Sequence, residues 1–250
     1  MSQQLPDRSL FPKHIGVIMD GNGRWANERN LSRTQGHKVG AKVFEDITRY
    51  CAKIGIDYIT FYAFSTENWK RPLKEVNFLM SLFDNELTRA FKLKAQNEKD
   101  GICMNFIGDI ESLPKTLQIL INKTRTEKKE TTKTVSTIAI NYGSQQEILN
   151  ATKKICEEYK NEKISLDKLD VSNFNNYLYT NEMPPVDLMI RTGGEKRLSN
   201  YLLWQSAYSE LYFTDVYWPD FDTDELDKAI IEFSNRNRRF GDVKEDKFES

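Results

Sequence analysis

Short apolar runs alternate along this chain with longer stretches in which apolar residues return every three or four positions. Residues 14–19 form a near-continuous apolar run, the signature of a buried strand. It gives way to Asp20-Gly21-Asn22-Gly23-Arg24-Trp25, where two glycines allow a sharp turn before a polar stretch that opens a helix. Val39, Val43, Phe44, Ile47, Cys51 and Ile54 then share one helical face, and Gly55 ends that helix. Residues 56–64 predict a second strand, closed by the polar and aromatic cluster Ser65-Thr66-Glu67-Asn68-Trp69-Lys70-Arg71-Pro72. A long helix follows, with Val76, Leu79, Met80, Phe83, Leu87 and Phe91 on one face.

The second half keeps this alternation. Residues 102–107, 135–140, 186–190 and 211–213 predict four further strands, the last of them short. Helices are expected over 117–126, 147–159, 166–179 and 224–239, with an exposed, charged and threonine-rich loop over 124–133. Strands alternating with helices predict a single α/β domain, a mostly parallel six-stranded sheet flanked by helices. No internal repeat or low-complexity linker divides it.

Composition excludes several classes of function. The 250 residues are 39% hydrophobic and 29% charged, with a formal net charge of −1, so no global basic field points to nucleic acid. No run of about 18 apolar residues exists to span a membrane. Residues 1–13 lack the apolar core of a signal peptide, so a cytoplasmic protein is expected. Cys51, Cys103 and Cys156 are widely spaced and read as free buried thiols in a reducing compartment. With only His14 and His37 and no cysteine cluster, a zinc site is not expected.

The candidate chemistry gathers at strand ends. Strand, glycine turn and helix start together form an anion cradle, because free N–H groups and the positive helix end both favour negative charge. Asp20 sits at the carboxyl end of the first strand, where open α/β sheets place ligands. A carboxylate beside a phosphate repels it unless a cation lies between, which makes Asp20 a candidate Mg²⁺ ligand. Gly21-Asn22-Gly23-Arg24-Trp25-Ala26 also fits the loose dinucleotide fingerprint. The acid that a ribose would need is missing, since Glu45 and Asp46 fall inside a helix.

Arg24, Arg33, Arg71, Arg191 and Arg197 are each ordinary surface charges taken singly, but all lie in or near loops after predicted strands. Arginine grips phosphate bidentately, so their convergence on one rim predicts two phosphate clusters. Ser65, Asn68 and Ser199 would add neutral hydrogen bonds, and Glu210 is a candidate second metal contact. His37 opens a helix near Arg33 and is a candidate for phosphate contact or proton handling, whereas His14, at the entry end of its strand, reads as structural. Phe64, Trp69, Trp204, Tyr208, Tyr212, Tyr217 and Trp218 form a dense, exposed-looking aromatic set, some of which would line an apolar cleft.

Residues 14–25 resemble the first signature of the cis-prenyltransferases. Gly36-His37-Lys38, residues 62–72, Gly108-Asp109 with Leu113-Pro114, residues 191–195 with Arg197 and Ser199, and residues 209–216 with 218–221 resemble later ones. They follow in order over residues 14–241, leaving 1–13 and 242–250 as tails. The resemblance implies a homodimeric α/β fold with an apolar product tunnel. It also implies Mg²⁺-dependent cis-addition of isopentenyl diphosphate units to farnesyl diphosphate. The implied product is undecaprenyl diphosphate, the precursor of the cell-wall lipid carrier, released at the inner face of the membrane.

By matching motif position, the resemblance makes Asp20 the metal and diphosphate residue, helped by Glu210. Gly21, Asn22, Gly23 and Arg24 would hold the allylic diphosphate with Arg33, His37 and Arg71. Trp25, Phe64 and Trp69 would border the prenyl chain, and the small Ala63 would leave the tunnel open. Ser65, Thr66, Glu67 and Asn68 would surround the condensing carbons, with Asn68 in proton removal. Arg191, Arg197, Leu198 and Ser199 would bind isopentenyl diphosphate. Arg239-Phe240-Gly241 resembles an Arg-x-Gly motif that reaches across a dimer interface. The chain departs from the family pattern at Ser144-Gln145, where Gly-Arg is usual, and at Thr66, which replaces a serine. A non-catalytic subunit would lack the metal carboxylate and the phosphate arginines, which this chain keeps.

Overall fold

The computed structural model describes residues 4–236, so Arg239-Phe240-Gly241 lies outside the described residues. The chain runs β1 (His14–Ile18), α1 (Asn22–Glu28), α2 (Arg33–Ile54), β2 (Tyr58–Ser65), α3 (Leu73–Lys92), α4 (Lys94–Lys99) and β3 (Ile102–Ile107). It continues α5 (Lys115–Thr124), β4 (Thr134–Tyr142), α6 (Ser144–Lys160), α7 (Val171–Asn175), β5 (Leu188–Arg191), β6 (Glu210–Phe213) and α8 (Thr223–Asn235).

The strands form one sheet in the order β3-β4-β2-β1-β5-β6, and every neighbouring pair is parallel. β1 is central and buried at all five positions, because helices cover both faces. Ile15 and Val17 pack into one cluster with Ile47, Phe61, Trp218 and Ile230, under α2 and α8. Ile18 points the other way, into a cluster with Met189, Tyr142 and Tyr201. A third cluster joins β3 and β4 to α3 and α5 through Leu79, Leu87, Phe106 and Ile121.

Element ends follow local chemistry. Ser32 and Gln35 form a capping box at the start of α2, and Gly55, at φ 91°, closes its end. Asp222 caps α8 by accepting from the Glu225 N–H, with Asp224 and Glu225 in the first turn. That helix stops at Asn235, short of the expected residue 239, because Arg236 is extended and its guanidinium pairs with Glu210 and Glu232. The helix expected over 166–179 is a 3-10 turn followed by the short α7. Asp170 breaks it by turning extended and accepting from the Asn173 N–H, which starts a new helix. Cys51 and Cys103 are buried, but Cys156 is exposed, on the outer face of α6, which corrects the expectation of three buried thiols. Among the described residues no helix is long and apolar enough to cross a membrane.

His14 is fully buried in the sheet, with Nδ1 2.8 Å from the Pro184 carbonyl and Nε2 2.7 Å from Thr60 Oγ1. Burial pulls its pKa down to about 4, against the smaller opposing effects of Pro184 and Asp187. The folded chain therefore holds it neutral, while the unfolded chain protonates it near the usual 6.5. Its contribution is complete above that value and is lost as the pH falls toward 4. Urea unfolding at pH 7.5 and pH 5 should show roughly 2 kcal/mol less stability at pH 5 from this group alone.

Candidate active site

The carboxyl ends of β1, β2 and β5 meet at one edge of the sheet. Ile18 and Arg191 are register partners, so the chain leaving β1 passes directly beside the tip of β5. Asp20 lies two residues past β1, and Gly21, at φ 102°, turns the backbone into α1. One Asp20 oxygen accepts from the Gly21 N–H at 2.6 Å, with Arg24 Nη2 at 3.3 Å. The other accepts from Arg191 Nη2 at 2.8 Å. Burial pushes the Asp20 carboxyl up, but the Arg191 and Gly21 hydrogen bonds and the charges of Arg191 and Arg24 outweigh it. The net result lies below the usual carboxylate value, and Asp20 is anionic.

Arg191 is 3% exposed, an unusual place for a charge. Its Nη1 donates to the Arg197 carbonyl at 2.5 Å and to Ser199 Oγ at 2.7 Å. Its Nε is buried without a partner among the described residues. His37, near the start of α2, has an equally unpartnered Nε2, and Asn22 has an unpartnered Oδ1. Burial, then the charge of Arg71, lowers the His37 pKa to about 4, so the ring is neutral. A site that leaves buried guanidinium and imidazole nitrogens unsatisfied is built for a ligand with oxygens to offer.

α1 and α2 are held close by Gly36. A β-carbon there would come within 2.0 Å of the Asn22 carbonyl oxygen. Gly36→Ala should therefore push α1 off α2 and distort the Asp20–Asn22 turn. We expect a loss of about 2 kcal/mol in stability together with a weakened affinity for inorganic diphosphate, read by denaturation and by calorimetry.

β2 delivers the third group. Its pairing with β4 slips between Tyr62 and Phe64 and again before Ser65, so Ala63 sits in a bulge at the site's edge. Ser65 and Asn68 cap the 3-10 turn that follows. The Ser65 N–H donates to Asn68 Oδ1 at 3.1 Å, which orients the amide and occupies one of that oxygen's two lone pairs. Glu67 accepts from Asn200 Nδ2 at 2.9 Å and from the Thr66 hydroxyl. Arg71 and Arg33 both pair with Glu75, at 2.9 and 3.5 Å, and the Arg33 guanidinium lies against Gly23.

These side chains open onto one cavity of ≈ 750 Å³ that runs from the strand tips between α2 and α3. Asp20, Asn22, His37 and Arg71 line its polar end, with Ser65, Glu67 and Asn68. Arg191, Arg197 and Ser199 line the same end from β5. Beyond them the wall is apolar, formed by Phe44, Ala63, Phe64, Leu79, Phe83 and Leu87.

Several expected residues fall outside this wall. Gly21, Gly23, Arg24, Arg33 and Thr66 sit around the turns behind the rim. Trp25 is held by Asp220 at 2.6 Å under the Arg29 guanidinium, and nothing places it beside the cavity. Trp69 bonds Asn141 and touches the cavity only through the edge of Phe64. Leu198 packs on the Tyr201 cluster. Glu210 begins β6 opposite Leu188, three register positions below Arg191, and pairs with Arg236 at 2.7 Å, so one chain does not bring it to Asp20. Of the aromatics expected to be exposed, Phe64 and Trp218 are buried and line the cavity, while Tyr208 is exposed.

Asn200 was not singled out from the sequence, yet it bridges three segments. It has φ 61°, donates to Glu67, and accepts through Oδ1 from the Gln145 N–H, while its carbonyl accepts from the Ser144 N–H. The departure at Ser144-Gln145 therefore leaves these contacts intact, because backbone groups make them.

A family model described as "Putative undecaprenyl diphosphate synthase" matches residues 18–241. An isoprenyl transferase of Clostridium acetobutylicum is 47% identical over 239 residues, covering 94% of this chain and 92% of that protein. A ditrans,polycis-undecaprenyl-diphosphate synthase of Haemophilus influenzae, named as specific for (2E,6E)-farnesyl diphosphate, is 45% identical over 235 residues. It covers 94% of this chain and 97% of that protein. The crystal structure of lavandulyl diphosphate synthase from Lavandula x intermedia, in complex with dimethylallyl diphosphate, superposes with a TM-score of 0.86 at 31% identity. It covers 94% of this chain and all of that one. With its sheet, its strand-tip arginines and its motifs all in order, the chain belongs to the undecaprenyl diphosphate synthase family, the cis-prenyltransferases.

Proposed function

We propose that this chain adds isopentenyl diphosphate units to farnesyl diphosphate, each new double bond cis, to give undecaprenyl diphosphate for cell-wall polysaccharide synthesis. One observation carries the reading: a polar rim bearing Asp20, Arg71, Arg191 and Arg197 opens directly into an apolar cavity. An allylic diphosphate has that same division, an anionic head and an apolar tail. The turn Gly21–Arg24, with Arg33, His37 and Arg71, binds the allylic diphosphate. Arg191, Arg197 and Ser199 bind isopentenyl diphosphate, and Ser65, Thr66, Glu67 and Asn68 order the carbons between them.

The donor set fits Mg²⁺. That ion binds through one or two carboxylates and completes its shell with phosphate oxygens and water. Asp20 supplies such a carboxylate, and no three His, Cys, Asp or Glu among the described residues form an all-protein cage. Bound there, Mg²⁺ offsets negative charge on the diphosphate oxygens. Departure of the allylic diphosphate concentrates charge on its oxygens, and the Arg71 guanidinium, held by Glu75, with the N–H groups at the start of α1 is fixed in advance to stabilise it. His37, neutral, offers a hydrogen bond without adding charge. The apolar wall excludes water from the allylic carbon as the bond breaks. We further propose that a homodimer is the active form, in the cytoplasm, releasing its product at the membrane surface.

Labelled isopentenyl diphosphate, farnesyl diphosphate and Mg²⁺ with the purified chain test the reading. Incorporation into a cis-polyprenyl product, lost on chelation and restored by Mg²⁺, is the expected result. No incorporation overturns it.

A further inference from the structure

The far end of the cavity carries a cluster of charged side chains beside the apolar Leu93, Ile102 and Met104. His37 stands at the mouth, and Arg49 lies twelve residues further along α2, about 18 Å away at the helical rise. Around Arg49 the wall includes Glu45, Glu86, Arg89 and Asn97, from α2, α3 and α4. Arg89 joins the two long helices, pairing with Glu45 at 2.8 Å and with Glu86 at 2.7 Å. Arg49 pairs with Glu45 at 3.2 Å and with Asp100 at 2.9 Å, and it donates to Asn97 Oδ1 at 3.4 Å. The cavity thus has charge at both ends and an apolar wall between.

We propose that this ion-pair belt is the floor of the product tunnel and fixes where chain growth stops. The inference rests on the proposed function above. Each condensation drives the tail deeper and removes new apolar surface from water, which favours the next addition. At the belt that gain ends. A further prenyl unit would have to part Glu45 from Arg89, strip water from charged groups, and emerge among side chains that are between a quarter and a half exposed. Ion pairs this open hold little stability, so the belt's place across the α2–α3 gap is not explained by folding alone. The contact that closes the gap is the Glu45–Arg89 pair, since the others tie each arginine to its own helix or to α4.

The test is product length, read by mass spectrometry of the polyprenyl diphosphates made from farnesyl and isopentenyl diphosphates with Mg²⁺. Wild type run in parallel tests the function itself; if it makes no product, that reading falls and the floor falls with it. Glu45→Met with Arg89→Met carries the apolar wall through the belt and should shift the distribution to longer products by one or more prenyl units. An unchanged distribution from a chain with the wild-type circular dichroism spectrum overturns the proposal. If the double variant does not fold, Ala90→Phe decides. Ala90 lines the cavity beside Arg89, and the added ring should shorten the product. Wild-type length from that variant means the tail never reaches the belt, which also overturns the proposal.

Discussion

Asp20→Ala should lower turnover by about 10³-fold or more while the chain stays folded. The carboxylate is the negative group at the mouth of the cavity that lies between the α1 turn and Arg191, where the two diphosphates are proposed to meet. Losing one preorganised group that stabilises developing charge costs about 10²–10³ in rate, and losing a metal ligand with it costs more. Stability should fall much less. Arg191 keeps its bonds to the Arg197 carbonyl and to Ser199, and it loses one counter-charge whose side chain is 31% exposed. The cost is roughly 1–2 kcal/mol, a few degrees in melting temperature for a chain of this size. Asp20→Asn separates shape from charge: it retains an oxygen for the Gly21 N–H but carries no negative charge, and it should be nearly as inactive. Turnover within tenfold of wild type in the asparagine variant would remove Asp20 from the metal role.

The strand tips were legible in the sequence because each strand is an apolar run that ends abruptly in polar residues. Their adjacency was not. Asp20 and Arg191 are 171 positions apart, and what brings them within 2.8 Å is strand order, β5 being laid beside β1. No local pattern encodes that order. Glu210 is the reverse case: it sits in a motif of the right composition, but at the start of its strand rather than at the end, where within one chain it pairs with Arg236. The helix expected over 166–179 failed because its apolar spacing outweighed one cap residue, Asp170, whose side chain competes for the backbone.

The cavity itself was legible only in part. Its apolar wall belongs to helix faces that read as core, and from spacing alone a face that packs against protein cannot be told from one that lines a tunnel. Glu45, Arg49, Glu86 and Arg89 lie off the apolar stripes of α2 and α3, where nothing in the spacing marks a charged residue as part of a cavity wall. Asn200 left a fainter trace: asparagine tolerates the positive φ found there, but only tertiary contacts show what it bridges.

Arg191 separates function from folding most sharply. It is a buried cation held by a fork: one nitrogen on Asp20, one shared between the Arg197 carbonyl and Ser199, and the third left free. Lysine keeps the charge but presents a single ammonium, which cannot span those partners. In Arg191→Lys a buried ammonium with incomplete bonding should cost about 2–3 kcal/mol in unfolding free energy. Arg191→Met removes the charge and its desolvation penalty together. Asp20 then keeps the Gly21 N–H, Arg24 and partial access to water, so the methionine chain should be the more stable of the two, within about 1 kcal/mol of wild type. Activity should not follow stability. Both variants lose the bidentate grip on a diphosphate, and kcat/KM for isopentenyl diphosphate should fall by about 10²-fold or more in each. Thermal unfolding beside steady-state kinetics reads this crossing directly. If Arg191→Lys were both the more stable and nearly fully active, the fork would be a structural brace and the phosphate site would have to lie elsewhere on the rim.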